Sequence, residues 1–235
     1  MKVRVHGAST DRTQRMPSLM LSPGDNVWCR VDAARGTTRD DDDATTVVLT
    51  GLQREQVSGL LDLRDGAPID LYATPAVFEH LTLTLPLLPV LQQFCGVQWH
   101  LIPVAGEQRA ADFTIERLPT LVFTALTAVD AARGDAATGE RIALAVRDER
   151  SRSRLFIVHG ASLDSAAFDS MLDWMTDADC VIIDRAPHID NTRWLDRLAG
   201  VPSPRKLLLD ANGSERSLFA ACGIECAQGV MEFEL

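Results

Sequence analysis

Thr46-Val47-Val48-Leu49-Thr50-Gly51 is a β-branched run closed by a glycine, and Leu52-Gln53-Arg54-Glu55-Gln56-Val57-Ser58-Gly59-Leu60-Leu61-Asp62-Leu63-Arg64 follows it directly. The first piece reads as a buried strand and the second as a helix-like stretch ending at Arg64. Asp65-Gly66 supplies a turn, and Ile69 to Ala73 returns as a strand, so the segment is strand, helix, strand. Upstream, Arg39-Asp40-Asp41-Asp42-Asp43 places four carboxylates side by side. Their repulsion favours an extended, solvated loop, and such a run has no geometry that converges its oxygens on one cation. Met1 to Gly7 alternates like a strand and lacks the apolar stretch and cleavage site of a secretory signal, which makes the cytoplasm the expected compartment.

Downstream, Pro75 suits the first position of a helix running toward Phe94, within which Pro86 and Pro89 should break or kink it. Strands are expected at Val97 to Pro103, Phe113 to Arg117 and Leu121 to Thr127. Arg141 to Val158 reads as a hairpin, because Ile142, Leu144 and Val146 alternate before a polar turn at Asp148 to Ser153. Phe168, Met171, Leu172 and Met175 then mark one face of an amphipathic helix, with the methionines as core filler. A strand at Cys180 to Ile183, a helix over Asn191 to Leu198, a strand at Lys206 to Leu209, a helix over Ser214 to Ala221 and a strand near Met231 to Leu235 complete the pattern. No linker rich in Pro, Gly or Ser divides the chain, so residues 1–235 are expected to form one domain.

The formal charge of −10 argues against nucleic acid as a partner, since affinity for a phosphate backbone comes largely from basic side chains. No apolar run approaches the roughly 18 residues of a membrane span, so no membrane partner is expected. The five cysteines form no C-x-x-C pair and read as buried or free thiols. There is no G-x-S-x-G elbow, P-loop or G-x-G-x-x-G, and His159-Gly160-Ala161-Ser162 is too ordinary to nominate a nucleophile and its base. His6, His80, His100 and His159 are scattered and read as surface or satisfied core residues.

Clustered strands with interspersed helices suggest an α/β architecture of two packed sheets with helices outside, although the pattern alone leaves a single doubly wound sheet open. Short segments sharpen this. The stretch Leu49 to Arg64, Gln98-Trp99, Asp148-Glu149-Arg150-Ser151 with Arg154-Leu155-Phe156, Leu172-Asp173-Trp174-Met175, Ile183-Asp184 and the ending Gly229 to Leu235 together resemble, in order, the pyrroloquinoline quinone biosynthesis protein B family of the metallo-β-lactamase superfamily. The resemblance implies a metallo-β-lactamase-like αββα sandwich of two mixed sheets with outer helices.

In that superfamily, histidines and aspartates at the strand ends hold metal ions that activate water or oxygen. Carried over residue by residue, the resemblance places Gly51 at the family's first aspartate and Glu55-Gln56 at its aspartate-histidine pair. Ala132 and Ala137 stand at two histidines, and Asp210 at another. The family's glycine-histidine-leucine-proline segment finds no match between Asn191 and Trp194. Its N-terminal cysteine cluster finds none between Ala8 and Ser18. Asp184 alone keeps a metal-site identity. Because a zinc site wants about three N, S or O ligands, the expectation is no metal and no cofactor. Gly51, Glu55, Gln56, Ala132, Ala137, Asp184, His188 and Asp210 would line a remnant pocket. On this reading the chain is a pseudoenzyme of quinone-cofactor or modified-peptide biosynthesis, a binding or accessory subunit whose partner is a small-molecule or peptide precursor or a pathway protein. The alternatives are a metal-dependent hydroxylase or hydrolase with a site rebuilt from Glu55, Asp184, Asp210 and His188, or a metal-free catalyst using His188 with Asp184 as an acid-base pair.

Overall fold

Seven strands form each of two sheets. The computed structural model describes residues 1–7, 17–24, 27–34, 45–128, 138–163, 167–186, 193–211 and 215–235. The first sheet contains β1 (Lys2–His6), β2 (Ser18–Ser22), β3 (Cys29–Val31), β4 (Thr46–Val48), β5 (Ile69–Ala73) and β6 (Val97–Leu101) in that order, with β14 (Val230–Glu234) outside β1. The second runs in reverse order, from β13 (Glu225–Cys226) through β12 (Arg205–Asp210), β11 (Cys180–Arg185), β10 (Arg154–Val158), β9 (Ile142–Asp148) and β8 (Leu121–Thr127) to β7 (Ala110–Thr114). β3 to β6 pair in parallel, as do β10 to β13, and the remaining pairs are antiparallel.

Alternation along the strands decides which side chains meet between the sheets. Leu121, Phe123 and Ala125 of β8 face inward with Ile142, Leu144 and Val146 of β9, and they join Val3, Val5, Leu21, Val31 and Val48 of the first sheet in one cluster. Phe123 is fully buried, its ring 5.2 Å from that of Phe113. The opposite face of the first sheet buries Leu49, Leu71 and Ala73 under α1 (Arg54–Val57), a 3₁₀ turn (Leu60–Leu63), α2 (Pro75–Glu79) and α3 (Leu87–Phe94). That of the second sheet buries Phe156, Val181 and Ile183 under α4 (Gly160–Leu163), α5 (Ala167–Thr176), α6 (Arg193–Ala199) and α7 (Arg216–Ala221). The layers are therefore helix, sheet, sheet, helix, and the doubly wound alternative is excluded. Among the described residues no helix is long and apolar enough to cross a membrane.

Several boundaries differ from the sequence reading. The helix after Gly51 is two short pieces, because the chain turns at Ser58-Gly59 to pack against the segment that follows β3. The expected helix from Pro75 passes through a π-helical segment (His80–Thr84) and breaks at Pro86, while Pro89 lies in the first turn of α3, where its missing N–H costs nothing. β7 lies three residues earlier than expected, its register fixed by pairing with β8. β2 and β3 were not foreseen. β2 is buried at four of its five positions and does not alternate, and β3 has three residues, all buried, too few to show a period. The carboxylate run at 39–43 lies outside the described residues.

Gly59 fixes how closely α1 and the 3₁₀ turn approach the end of β3. Its N–H donates to the Ala33 carbonyl (2.7 Å), and a β-carbon here would overlap the Ala34 carbonyl. Backbone cannot move aside as a side-chain tip does. Gly59→Ala is therefore expected to lower unfolding stability by about 2 kcal/mol or more, measured by urea denaturation; an unchanged midpoint would show that this approach is not held by the glycine.

Candidate functional site

The parallel halves of the two sheets end at the same edge of the sandwich. Asp32 follows β3, Thr50 lies two residues past β4, His159 follows β10, Asp184 is the penultimate residue of β11 and Asp210 closes β12. Ligand sites form commonly outside such strand ends, where side chains from different strands converge. The Thr50 carbonyl accepts from the Ile142 N–H (2.8 Å), and Gly51 bridges to Arg141, so the edges of the two sheets are stitched together beside the site.

Four of these side chains and Gln56 form one network. Asp32 adopts a left-handed conformation (φ 62°), tolerated by aspartate better than by most residues. Its Oδ1 accepts the Thr50 N–H (2.8 Å) and its Oδ2 the Thr50 hydroxyl (2.6 Å). Gln56, on the third position of α1, accepts the Gln53 N–H at Oε1 (2.9 Å), one half of a capping box. That bond settles which way the amide points, since an NH₂ group cannot accept. The Gln56 nitrogen therefore faces inward and donates to Thr50 Oγ1 (2.9 Å), with Asp32 Oδ2 at 3.4 Å, and it lies 2.8 Å from Nε2 and 3.3 Å from Nδ1 of the His159 ring, whose Nε2 is itself 2.8 Å from Thr50 Oγ1. His159 is buried, and its Nδ1 donates to Asp184 Oδ2 (2.7 Å). Asp184 Oδ1 accepts the N–H groups of Gly160 (2.8 Å) and Arg185 (2.6 Å).

The electrostatics follow from this arrangement. Burial pushes the Asp32 carboxyl up to about 6, against the opposing pull of His159 and the two bonds from Thr50. Asp184 is held below its usual range: burial works to raise it, but His159 and the N–H groups of Gly160 and Arg185 outweigh that. For His159, burial opposes the charged ring, yet Asp184 and then Asp32 raise its proton affinity above the ordinary value.

Beyond the network lies a cavity of about 60 Å³, with Leu19, Val31, Ile157 and Leu209 on its apolar wall and Gln56, His159 and Asp184 among its polar lining. Arg185 stands at this cavity too and pairs with Asp210 (3.2 Å). Among the described residues no three His, Cys, Asp or Glu side chains gather in a way that suits a metal ion.

Of the residues singled out from the sequence, Gln56, Asp184 and Asp210 line this one cavity. Gly51 lies beside it, where a β-carbon would come 2.5 Å from the Gln56 amide oxygen. Glu55 lies on α1, and Ala132, Ala137 and His188 fall outside the described residues. Asp32, Thr50 and His159 had no part in the expected site. The signal for His159 was available: it directly follows the strand Leu155 to Val158, so the strand-end argument applied to Asp184 covers it equally. Asp32 had no such signal, because β3 was not recognised.

The comparisons bear on the family. No protein-family model matches the chain. It is 31% identical over 229 residues to coenzyme PQQ synthesis protein B of Pseudomonas aeruginosa, covering 80% of this chain and 73% of that protein. The same-named protein of Pseudomonas syringae is 30% identical over 240 residues, covering 85% and 76%. The chain belongs to the coenzyme PQQ synthesis protein B family. Against the same-named Acinetobacter baumannii protein the match is 31% over 159 residues, covering 66% of this chain and 49% of the relative, so the chain spans about half the length of that protein. Among solved structures, zinc-bound PqqB from Methylobacterium extorquens superposes with a TM-score of 0.71 at 16% identity over the whole of both chains. A metal-dependent hydrolase of the β-lactamase superfamily, Tm1679, gives 0.62 at 9% identity, covering 100% of this chain and 99% of that one. These likenesses establish the metallo-β-lactamase fold.

The raised Asp32 carboxyl has a consequence for stability. Because its unfolded value is near 3.8 and its folded value about 6, folding takes up a proton between those limits. The stability that protonated Asp32 confers is full below about pH 4, fades as pH rises toward 6, and changes little beyond. The stability of wild type relative to Asp32→Asn is therefore expected to be greater at pH 4.5 than at pH 7. Denaturant titrations of both proteins at the two pH values give the comparison, and a difference that grows with pH would contradict the assignment.

Proposed function

We propose that this chain is a PQQ synthesis protein B relative that serves quinone-cofactor or modified-peptide biosynthesis as a binding or accessory subunit without metal-dependent chemistry. The observation that carries the reading is the position of the Gln56 amide. Its nitrogen stands 2.8 Å from His159 Nε2 and 2.9 Å from Thr50 Oγ1, and those two atoms are 2.8 Å from each other, so the groups that could face a cation here are already engaged with one another and with the amide. Zinc requires nitrogen and oxygen donors at about 2.0–2.2 Å, with about three from the protein. Among the described residues, the donor set at these strand ends does not fit a transition metal.

His188, the expected partner of Asp184 in acid-base catalysis, lies outside the described residues, and His159 does not take its place. Asp184 pairs with His159 at Nδ1, and the remaining ring nitrogen is turned into the protein against Gln56 and Thr50. A general base needs that nitrogen within hydrogen-bond reach of a substrate proton. What remains for a ligand is the cavity itself, apolar on one wall and edged by Asp184, Arg185 and Asp210. This mixture suits a small precursor or a peptide side chain with a polar end, or a side chain of a pathway protein.

Two measurements test the proposal. Elemental analysis of protein purified without chelators is expected to give well under one zinc, iron or manganese per chain. Treatment with a strong chelator is expected to leave the melting temperature unchanged, since a metal bound only by the folded state would contribute its binding free energy to stability. Stoichiometric metal, or a fall of more than about 3 °C, the shift that corresponds to roughly 1 kcal/mol in a domain of this size, would favour a hydroxylase or hydrolase with a rebuilt site.

A further inference from the structure

We propose that β6, the open edge of the first sheet, is the contact surface of a homodimer, in which it pairs antiparallel with β6 of a second copy about a twofold axis at Trp99. The inference is independent of the reading of the strand-end site.

A sheet edge exposes unpaired N–H and C=O groups, and proteins commonly blunt it with charge or proline. Three of the four edges here carry carboxylates: Glu232 and Glu234 on β14, Asp112 on β7 and Glu225 on β13. β6, Val97-Gln98-Trp99-His100-Leu101, carries none, and no Asp, Glu, Lys or Arg occurs between Glu79 and Glu107. That same span holds six of the ten large apolar side chains exposed among the described residues: Leu83, Leu85, Val90, Phe94, Trp99 and Leu101. They gather at one edge, since Phe78 of α2 stacks on Trp99 (4.0 Å) and α3 packs on β6. Their exposed fractions amount to roughly 600 Å² per copy, as large as the biggest apolar patch of a typical monomer. Doubled, that is about 1,200 Å², the lower limit of stable interfaces.

The backbone pattern of this edge fits a second copy of itself. The Gly96 carbonyl accepts the Ile69 N–H (3.0 Å) and the Ile102 N–H donates to the Ala73 carbonyl (2.9 Å), so the even-numbered positions face β5 and Val97, Trp99 and Leu101 turn their backbone groups outward. Gln92 Oε1 takes the Val97 N–H (3.0 Å). An antiparallel copy centred on Trp99 satisfies the other two outward N–H groups. Trp99 exchanges two bonds with Trp99 of the second copy, and each Leu101 N–H reaches the Val97 carbonyl of the other, while the Val97 N–H needs no new partner because Gln92 holds it. On the helix side of the sheet Val97, Trp99 and Leu101 then meet one another. On the other side Gln98 stands opposite His100, so no like charges face each other. A chain of net charge −10 repels its own copies over most of its surface, and this uncharged face is where they approach with least repulsion.

The test is sedimentation equilibrium of the full chain at neutral pH, from micromolar to submillimolar concentration. Wild type is expected to reach twice the 25.7 kDa mass of one chain. Leu101→Lys puts a charge on the edge and is expected to weaken dimerisation by about tenfold or more. Leu101→Pro removes one outward N–H, keeps the bonds to β5 and is expected to weaken it likewise. Leu218→Lys, at an exposed apolar residue of α7, is expected to leave the dimer unchanged. A wild-type monomer at every concentration overturns the inference, which is the result expected if the edge serves only an extended segment of another protein. A dimer that Leu218→Lys splits, or that survives both Leu101→Lys and Leu101→Pro, has its interface elsewhere and overturns it too. Should the variants at Leu101 not fold, Phe94→Glu decides by the same criteria.

Discussion

The Thr50 hydroxyl joins Gln56, on a helix that follows β4, to His159, which follows a strand of the second sheet, and the other polar groups at that edge are arranged around them. Inside a protein such a network is stabilising only if every member is satisfied, because a buried donor or acceptor without a partner costs more than the bond it lost would have contributed. Here the accounting closes: the Gln56 oxygen accepts from Gln53, its nitrogen donates to Thr50, His159 Nδ1 pairs with Asp184, and the Thr50 hydroxyl meets both Asp32 and His159 Nε2.

That edge exists because each sheet has a parallel half. A parallel neighbour must be reached by a crossover that returns to the same end, so successive strands leave their C-terminal ends side by side. Asp32 and Thr50 on one sheet, and His159, Asp184 and Asp210 on the other, occupy those ends. The backbone bond between Thr50 and Ile142 keeps the two sheets in register beside them. Gly59 contributes from behind, letting the 3₁₀ turn press against Ala33 and Ala34, and the Gln56 carbonyl accepts the Ala33 N–H from the same segment. The position of the amide is thus set by packing on the outer face of the first sheet as well as by its polar partners.

The chain keeps the fold of its family, and at this edge an amide, an imidazole and two carboxylates meet. The acidic groups respond in opposite directions, Asp184 downward beside its imidazole and Asp32 upward in its burial.

Much of the secondary structure was legible in the sequence where a period had room to show itself. β5 and β8 lie at the expected residues, the Arg141 to Val158 hairpin forms, and Phe168, Met171 and Met175 face the core from α5. Gln56, Asp184 and Asp210 were marked by position within a resembling motif. β2 and β3 were illegible, because strands of five and three residues buried on nearly all sides show no alternation. With β3 unseen, Asp32 could not be placed. His159 could be read only as a histidine after a strand, since a residue's partners from positions 32, 50, 56 and 184 are joined by chain closure and not by local spacing. Local propensity and hydrophobic period, which act over a few residues, were determined by the sequence alone. The meeting of an amide, an imidazole and two carboxylates was decided by the tertiary structure, because only the pairing of the sheets brings those strand ends within hydrogen-bond distance.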